Sequence, residues 1–130
     1  MLQHKKAILL GRILTLVVSL PFAMSSVMKL IQHTEVIKGV GHLGIPESLV
    51  LPLGMLELVC LCIYLLPQTA LLGAILLTGY IGGAILTHLR IGEAVFMQVI
   101  IGILIWAAIY LREPHLREIL PFRKKQKLLL

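Results

Sequence analysis

Residues 69–89 read TALLGAILLTGYIGGAILTHL, 21 consecutive residues without an acidic side chain, lysine or arginine. A helix of this length rises about 31 Å, and the hydrocarbon core of a bilayer is roughly 30 Å thick. Three further apolar stretches, 7–31, 49–66 and 94–111, contain 25, 18 and 18 residues. No stretch alternates polar and apolar residues as the strands of a membrane barrel do. The sequence therefore predicts an all-α fold, an integral membrane antiparallel four-helix bundle.

The composition supports a membrane protein. Of the 130 residues, 58% are hydrophobic and 14% are charged, whereas soluble domains contain about 25% charged residues. The mean hydropathy is +0.98, and a soluble domain of this size could not bury so much apolar surface. We expect one transmembrane domain over 1–130 with a basic tail over 112–130. Cys60 and Cys62 lie two residues apart in an apolar helix, a spacing that fits neither a disulfide nor a metal site.

The basic residues predict the orientation in the membrane. Lys29, Lys38 and Arg90 fall on one side of the bundle, and nine of the twelve Lys and Arg residues fall on the other. The positive-inside rule then places both termini in the cytoplasm. The run FRKKQK over 122–127 is expected to lie against anionic lipid head groups, and no nucleic-acid-binding motif accompanies it. The alternative that 7–31 is a cleaved signal peptide is disfavoured, because its apolar run is too long. The nine Lys and Arg residues on the predicted cytoplasmic side are Lys5, Lys6, Arg12, Arg112, Arg117, Arg123, Lys124, Lys125 and Lys127.

A polar seam runs along the first segment. Its members follow one another at spacings of three and four residues, so they share one face of a helix. In lipid such a face turns towards other helices, although Arg12 at one end can reach the membrane surface instead. At the other end, Lys29 is the expected partner of Glu57 in the second segment. That pair is either structural or part of a ligand or proton site. The seam comprises Arg12, Thr15, Ser19, Phe22, Ser26 and Lys29.

The third and fourth segments add further polar groups. Gly79, Gly83 and Thr87 form a face of small residues, which predicts close contact with another helix. His88 lies on a different face of the same helix, with Tyr80 at its edge. In the fourth segment we expect Trp106, Tyr110 and Arg112 to be anchors at the inner membrane surface.

Four helices each place one polar side chain at a similar depth: Lys29, Glu57, His88 and Gln98. The sequence thus predicts a polar pocket that opens outward, with Ser26 and Tyr80 as further candidate ligand-binding residues. No catalytic motif, metal-ligand cluster, P-loop or dinucleotide fingerprint is present in the sequence. Haem is disfavoured, because only His88 lies near a predicted span.

Several short motifs resemble the DoxX-like family of small four-helix membrane proteins. They are SSVMKL over 25–30, HLGIP over 42–46, GMLEL over 54–58 and GYIGGAILTHLR over 79–90. At residues 25 and 26 the chain has serines where the family usually has a small-glycine pair. The resemblance implies a multi-pass protein of the bacterial inner membrane. Some family members are named as subunits of thiosulfate:quinone oxidoreductases.

Three function classes are open. The first is a non-catalytic membrane subunit that anchors or organises a redox partner, either membrane-bound or peripheral. The second is a redox component that binds a quinone or another small ligand in the polar pocket. The third is a small transporter, which would require a homo-oligomer, because four spans form a thin pathway. An enzyme with its own complete catalytic machinery is disfavoured.

Overall fold

The computed structural model describes residues 1–122, all of whose regular elements are helical. The basic run over 122–127 was predicted to lie against lipid head groups. From Arg123 onward it falls outside the described residues. Four helices are long and two are short. They are α1 (Leu2–Leu30), α2 (Thr34–His42), α3 (Val50–Leu65), α4 (Ala70–Arg90), α5 (Phe96–Arg112) and α6 (Pro114–Ile119).

The four long helices form a closed ring in the order α1, α3, α4, α5, in which each helix packs on two neighbours. Three segments, Leu2–Leu30, Glu47–Leu65 and Ala70–Arg90, are long and apolar enough to cross a membrane, and α5 is a shorter apolar helix. Large apolar side chains remain exposed on the outer surface of the bundle, as expected where lipid replaces water. The predicted membrane helical bundle is confirmed.

The polar seam of α1 faces the other helices. Thr15, Ser19, Phe22 and Ser26 are buried, whereas Arg12 at the end of the seam is exposed. The three hydroxyls donate hydrogen bonds to carbonyls of their own helix, at 2.6–3.0 Å. Because these donors are satisfied locally, the seam can be buried without a partner on another helix.

The connection between α1 and α3 contains a helix that the sequence analysis did not predict. None of the four predicted helical stretches includes residues 32–48, but Thr34–His42 is helical. His33 caps this helix, since its Nδ1 accepts a hydrogen bond from the backbone N–H of Glu35. Val40 is buried and anchors α2 on the end of the bundle. We call this end the α2 end.

Close helix packing occurs at glycines other than the predicted ones. A Cβ atom added at Gly73 would lie 2.2 Å from the Tyr64 Cα, and one at Gly11 would lie 2.6 Å from the Arg112 backbone nitrogen. At Gly79 and Gly83, by contrast, an added Cβ would meet nothing in the described chain within 4 Å. The prediction of close packing along Gly79 and Gly83 is therefore wrong. The spacing of small residues was recognised correctly, but no other helix among residues 1–122 packs against α4 at these two glycines.

Candidate functional site

A cavity of about 890 Å³ lies at the α2 end, between α1, α3 and α4. Helix α2 covers it. Apolar side chains such as Phe22, Leu53 and Ile101 form much of its wall. Several charged or titratable side chains also line the cavity: Lys29, Glu35, His42, Glu57, Tyr80, His88 and Glu93.

The predicted pair of Lys29 and Glu57 is present in the structure. Lys29 Nζ lies 2.7 Å from Glu57 Oε2, and the two side chains are 12% and 3% exposed. Gly54 brings them together, because a Cβ at that position would lie 2.7 Å from Lys29 Cβ. Helices α1 and α3 can therefore approach closely one turn before Glu57. A buried carboxylate left without this partner would be strongly destabilising.

Two hydroxyl groups complete the surroundings of the Glu57 carboxylate. Ser25 Oγ and Tyr80 OH donate hydrogen bonds to Oε2 at 3.1 and 3.2 Å. Lys29 Nζ also donates to Ser25 Oγ, at 2.5 Å, and lies 5.9 Å from the centre of the Tyr80 ring. An ammonium group has three N–H donors, and contacts within residues 1–122 account for two of them. The third N–H can be donated to a molecule in the cavity.

His88 lies on the cavity wall but nearer its rim. It follows Tyr80 by eight residues on α4, about 12 Å along the helix axis. Its Nδ1 lies 2.7 Å from the Ala84 carbonyl oxygen, and a carbonyl can only accept a hydrogen bond. Nδ1 therefore carries a proton, and Nε2 is an acceptor in the neutral ring. Nε2 lies 3.9 Å from Glu93 Oε2.

The rim joins α2 to the connection between α4 and α5. His42 Nε2 lies 2.9 Å from Glu93 Oε1, and the Arg90 guanidinium donates a hydrogen bond to the Leu43 carbonyl. The sequence analysis did not select His42 or Glu93 as site residues. They lie 51 positions apart in the sequence, and no sequence signal indicates that the two loops meet.

Two predicted site residues do not line this cavity. Ser26 is fully buried, and its hydroxyl donates to the Ala23 carbonyl at 3.0 Å. Successive helical residues point about 100° apart, so Ser25 faces the cavity while Ser26 faces the α1–α3 contact at Gly54. Gln98 lies in a separate hollow of about 500 Å³ between α4 and α5, together with Trp106. The predicted contribution of α5 through Gln98 is therefore not observed.

The opposite end of the bundle holds a second, half-buried charge. Arg112 was expected to be a surface anchor, but its guanidinium turns back between α1, α3 and α5. It donates hydrogen bonds to Thr15 Oγ1 at 3.1 Å and to the Tyr64 carbonyl at 2.6 Å. Its charge lies 4.9 Å from the centre of the Tyr64 ring. Trp106 also points at a protein partner, since its indole N–H donates to Thr78 Oγ1 at 2.8 Å.

The cavity residues do not form a metal centre. Among residues 1–122, no group of three or more His, Cys, Asp or Glu side chains could hold a metal ion. What the site offers is hydrogen bonding: an ammonium with a free N–H, a phenol hydroxyl, a carboxylate and an imidazole acceptor along an apolar wall. Such groups can orient a small polar head group without binding it covalently.

Comparison with protein families gives one match. The model described as the DoxX-like family matches residues 13–110. This range includes most of α1 and nearly all of α5, and it contains every residue that lines the cavity, from Pro21 to Ile101. No curated protein and no solved structure matches the chain.

Proposed function

The chain belongs to the DoxX-like family, and from that premise we propose that it binds the head group of a membrane quinone in the cavity at the α2 end. The observation that carries the proposal is the Lys29–Glu57 pair with Tyr80, which faces an apolar space of about 890 Å³. Ligand pockets typically measure roughly 300–1,000 Å³, with apolar walls and a few placed polar groups. The cavity matches this description in both size and composition.

The polar groups match the chemistry of a quinone. Its carbonyl oxygens accept hydrogen bonds, and the free N–H of Lys29 is a donor in an environment of low dielectric constant. The Tyr80 hydroxyl now donates to Glu57 and can rotate towards a ligand carbonyl. In the reduced form the ring carries hydroxyl groups, which donate instead of accepting. The Glu57 carboxylate is the acceptor for that state.

We further propose that the protein acts as the membrane subunit of a redox system and exchanges electrons with a partner subunit. Both termini would then face the cytoplasm, and the cavity would lie in the outer half of the membrane. The basic residues at the ends of the chain support this orientation. Reporter fusions at Leu130 and in the 32–48 connection should give signals from opposite compartments. A cytoplasmic signal from the 32–48 connection would contradict the orientation.

Quinone binding can be measured directly by equilibrium dialysis on detergent-solubilised protein. The probe is a benzoquinone with one isoprenoid unit. Lys29→Met and Tyr80→Phe should each weaken binding about tenfold, because a lost hydrogen bond to a charged or buried group costs about 1.4 kcal/mol. Tyr80→Phe removes one hydroxyl and keeps the ring, so the fold should be preserved.

The matched control is Gln98→Leu, which changes a polar residue in the separate hollow and should leave quinone affinity unchanged. Circular dichroism and the thermal midpoint verify that each variant is folded. The proposal fails if wild-type protein shows no saturable binding. It also fails if Lys29→Met and Tyr80→Phe bind as well as Gln98→Leu does.

A further inference from the structure

We infer that the ligand of this cavity carries a long apolar chain, and that this chain leaves the cavity sideways into the lipid through a gap between α3 and α4. We call this gap the portal. It is bordered by Leu53 and Leu56 on α3 and by Gly79, Gly83 and Thr87 on α4. The inference rests on the proposed function for the head group and adds the class of the rest of the ligand.

Helices α3 and α4 pack tightly at one end, and towards the other end both of them line the cavity. Near their connecting turn, a Cβ at Gly73 would lie 2.2 Å from the Tyr64 Cα. Ten residues later along α4, a Cβ at Gly83 would meet nothing within 4 Å in the described part of the chain. At this level Leu53 and Leu56 of α3 and Gly83 and Thr87 of α4 all line the cavity, so the space beside Gly83 is not filled by protein side chains.

The gap faces outward as well as inward. Gly73 marks the side of α4 that packs against α3, and the helical repeat places Thr87 about 40° and Gly83 about 80° around α4 from it. Gly83 therefore lies at the outer flank of this side, where it is exposed and also lines the cavity. On α3, Leu56 lines the cavity and is nevertheless 52% exposed. A side chain with both properties lies at the border between the cavity and the surrounding lipid. The portal is thus continuous with the head-group cavity.

The rim of the cavity beneath α2 is a less suitable exit for an apolar chain than the portal. Helix α2 covers this rim with Val40 buried beneath it. The contact of His42 with Glu93 and that of Arg90 with the Leu43 carbonyl hold α2 in place. Glu35, His42 and Glu93 line the rim. A hydrocarbon chain that crossed these polar groups would lose their hydrogen bonds and gain contact with water.

The two openings together define the class of ligand. The polar groups of the cavity accept a head group, and the glycine-lined portal accepts a narrow chain without charged neighbours. A chain that continues into lipid keeps its apolar surface out of water. The length of the chain is then limited by the membrane, not by the cavity volume. The isoprenoid tail of a membrane quinone meets these requirements.

Filling the portal tests the inference. Gly83→Phe places an aromatic ring in the gap, and Gly82→Phe is the matched control, because it adds the same ring one residue away on the α5 side. A Cβ at either position meets nothing in the described chain within 4 Å, so both variants should fold. In nanodiscs, Gly83→Phe should bind a long-tailed quinone at least about tenfold more weakly, a clear change in affinity. The one-isoprenoid quinone should lose less than about threefold.

The outcomes separate the portal from the head-group site. Equal losses for both quinones in Gly83→Phe would show that residue 83 belongs to the head-group site, and would overturn the portal. If Gly83→Phe binds the long-tailed quinone with unchanged affinity, the tail leaves the cavity elsewhere, and this result too would overturn the portal. Gly82→Phe should alter neither affinity.

A lipid probe tests the portal even if no quinone binds to the wild type, in which case the proposed function fails by itself. The probe is a phospholipid with a diazirine on its acyl chain, incorporated into the nanodiscs. Mass spectrometry should find it cross-linked to Tyr80 in the wild type and in Gly82→Phe, but not in Gly83→Phe. Added long-tailed quinone should suppress the cross-link. Absence of the cross-link in the wild type would overturn the portal, and persistence at saturating quinone would assign the site to phospholipid instead.

Discussion

Both ends of the helix bundle hold a charged side chain between helices, but their surroundings differ. At the α2 end, Lys29 and Glu57 meet beside a cavity of about 890 Å³. At the opposite end, Arg112 is held by Thr15, the Tyr64 carbonyl and the Tyr64 ring. There the helix backbones approach so closely that Gly11 and Gly73 leave no space for a Cβ atom.

In this small bundle, one end contributes mainly to stability, and the other end offers a space for binding. At the Arg112 end, the two terminal nitrogens of the guanidinium donate to acceptors on α1 and α3, so the charge connects the helices. The buried Arg112 Nε has no hydrogen-bond partner among residues 1–122. At the α2 end, donors and acceptors face a space that another molecule can enter. A charge held by protein groups on neighbouring helices indicates a structural role. A buried charge beside a cavity indicates a binding site.

The largest effect is expected from adding volume at the two ends. Gly73→Leu should lower the free energy of unfolding by about 3 kcal/mol, because the new side chain overlaps the backbone of α3. Gly83→Leu should change it by less than about 0.5 kcal/mol, since the side chain enters open space. Unfolding by SDS titration in mixed micelles measures both. Similar losses would show that the α2 end is packed as tightly as the opposite end.

Removing the charge of Arg112, at the end opposite the α2 end, should have the next largest effect on stability. Arg112→Met should lower the free energy of unfolding by about 2 kcal/mol, because it leaves the Tyr64 carbonyl without its donor. Quinone affinity should stay within about twofold of the wild type, since the site lies at the other end. Arg12→Met is the control, because Arg12 is exposed and its loss should be nearly neutral. A large loss of ligand affinity in Arg112→Met would show that the two ends are coupled.

A smaller effect on stability is expected at the α2 end, where the cavity adjoins Lys29 and Glu57. Glu57→Gln and Lys29→Met should each destabilise the protein, and the double variant should recover part of the loss. The resulting coupling energy should be about 1 kcal/mol, towards the lower part of the range for contacting residues. The double-mutant cycle is measured by the same SDS titration. Additive losses would mean that the two groups are solvated independently and that no structural ion pair exists.

The fold and the Lys29–Glu57 contact could both be predicted from the sequence. Each apolar stretch became a helix, because backbone groups within a membrane can be satisfied by internal helical hydrogen bonds. The ion pair was predictable for a related reason. Glu57 is the acidic residue placed deep in a predicted span, and Lys29 is the base that can reach its depth from the neighbouring helix.

The rest of the site depends on helix rotation and on which helices meet. Ser25 and Ser26 are adjacent in the sequence, and only the rotation of α1 determines which of them faces the cavity. The glycines of α4 show the same limit. A spacing of four residues places Gly79 and Gly83 near each other along the helix, but it does not say whether a neighbouring helix or a cavity lies beside them.

The helical class and the approximate extent of the long helices could be derived from the sequence alone. So could the identity of the polar residues that are unfavourable in lipid without a partner. These properties follow from local hydrogen bonding and from hydrophobicity, which each stretch carries alone. The tertiary structure was needed to establish that α2 covers one end, that Arg112 turns inward and that α3 and α4 both line a cavity near Gly83. These features arise from contacts between residues far apart in the chain, where packing at Gly54 and Gly73 brings some helix pairs together and leaves a gap elsewhere.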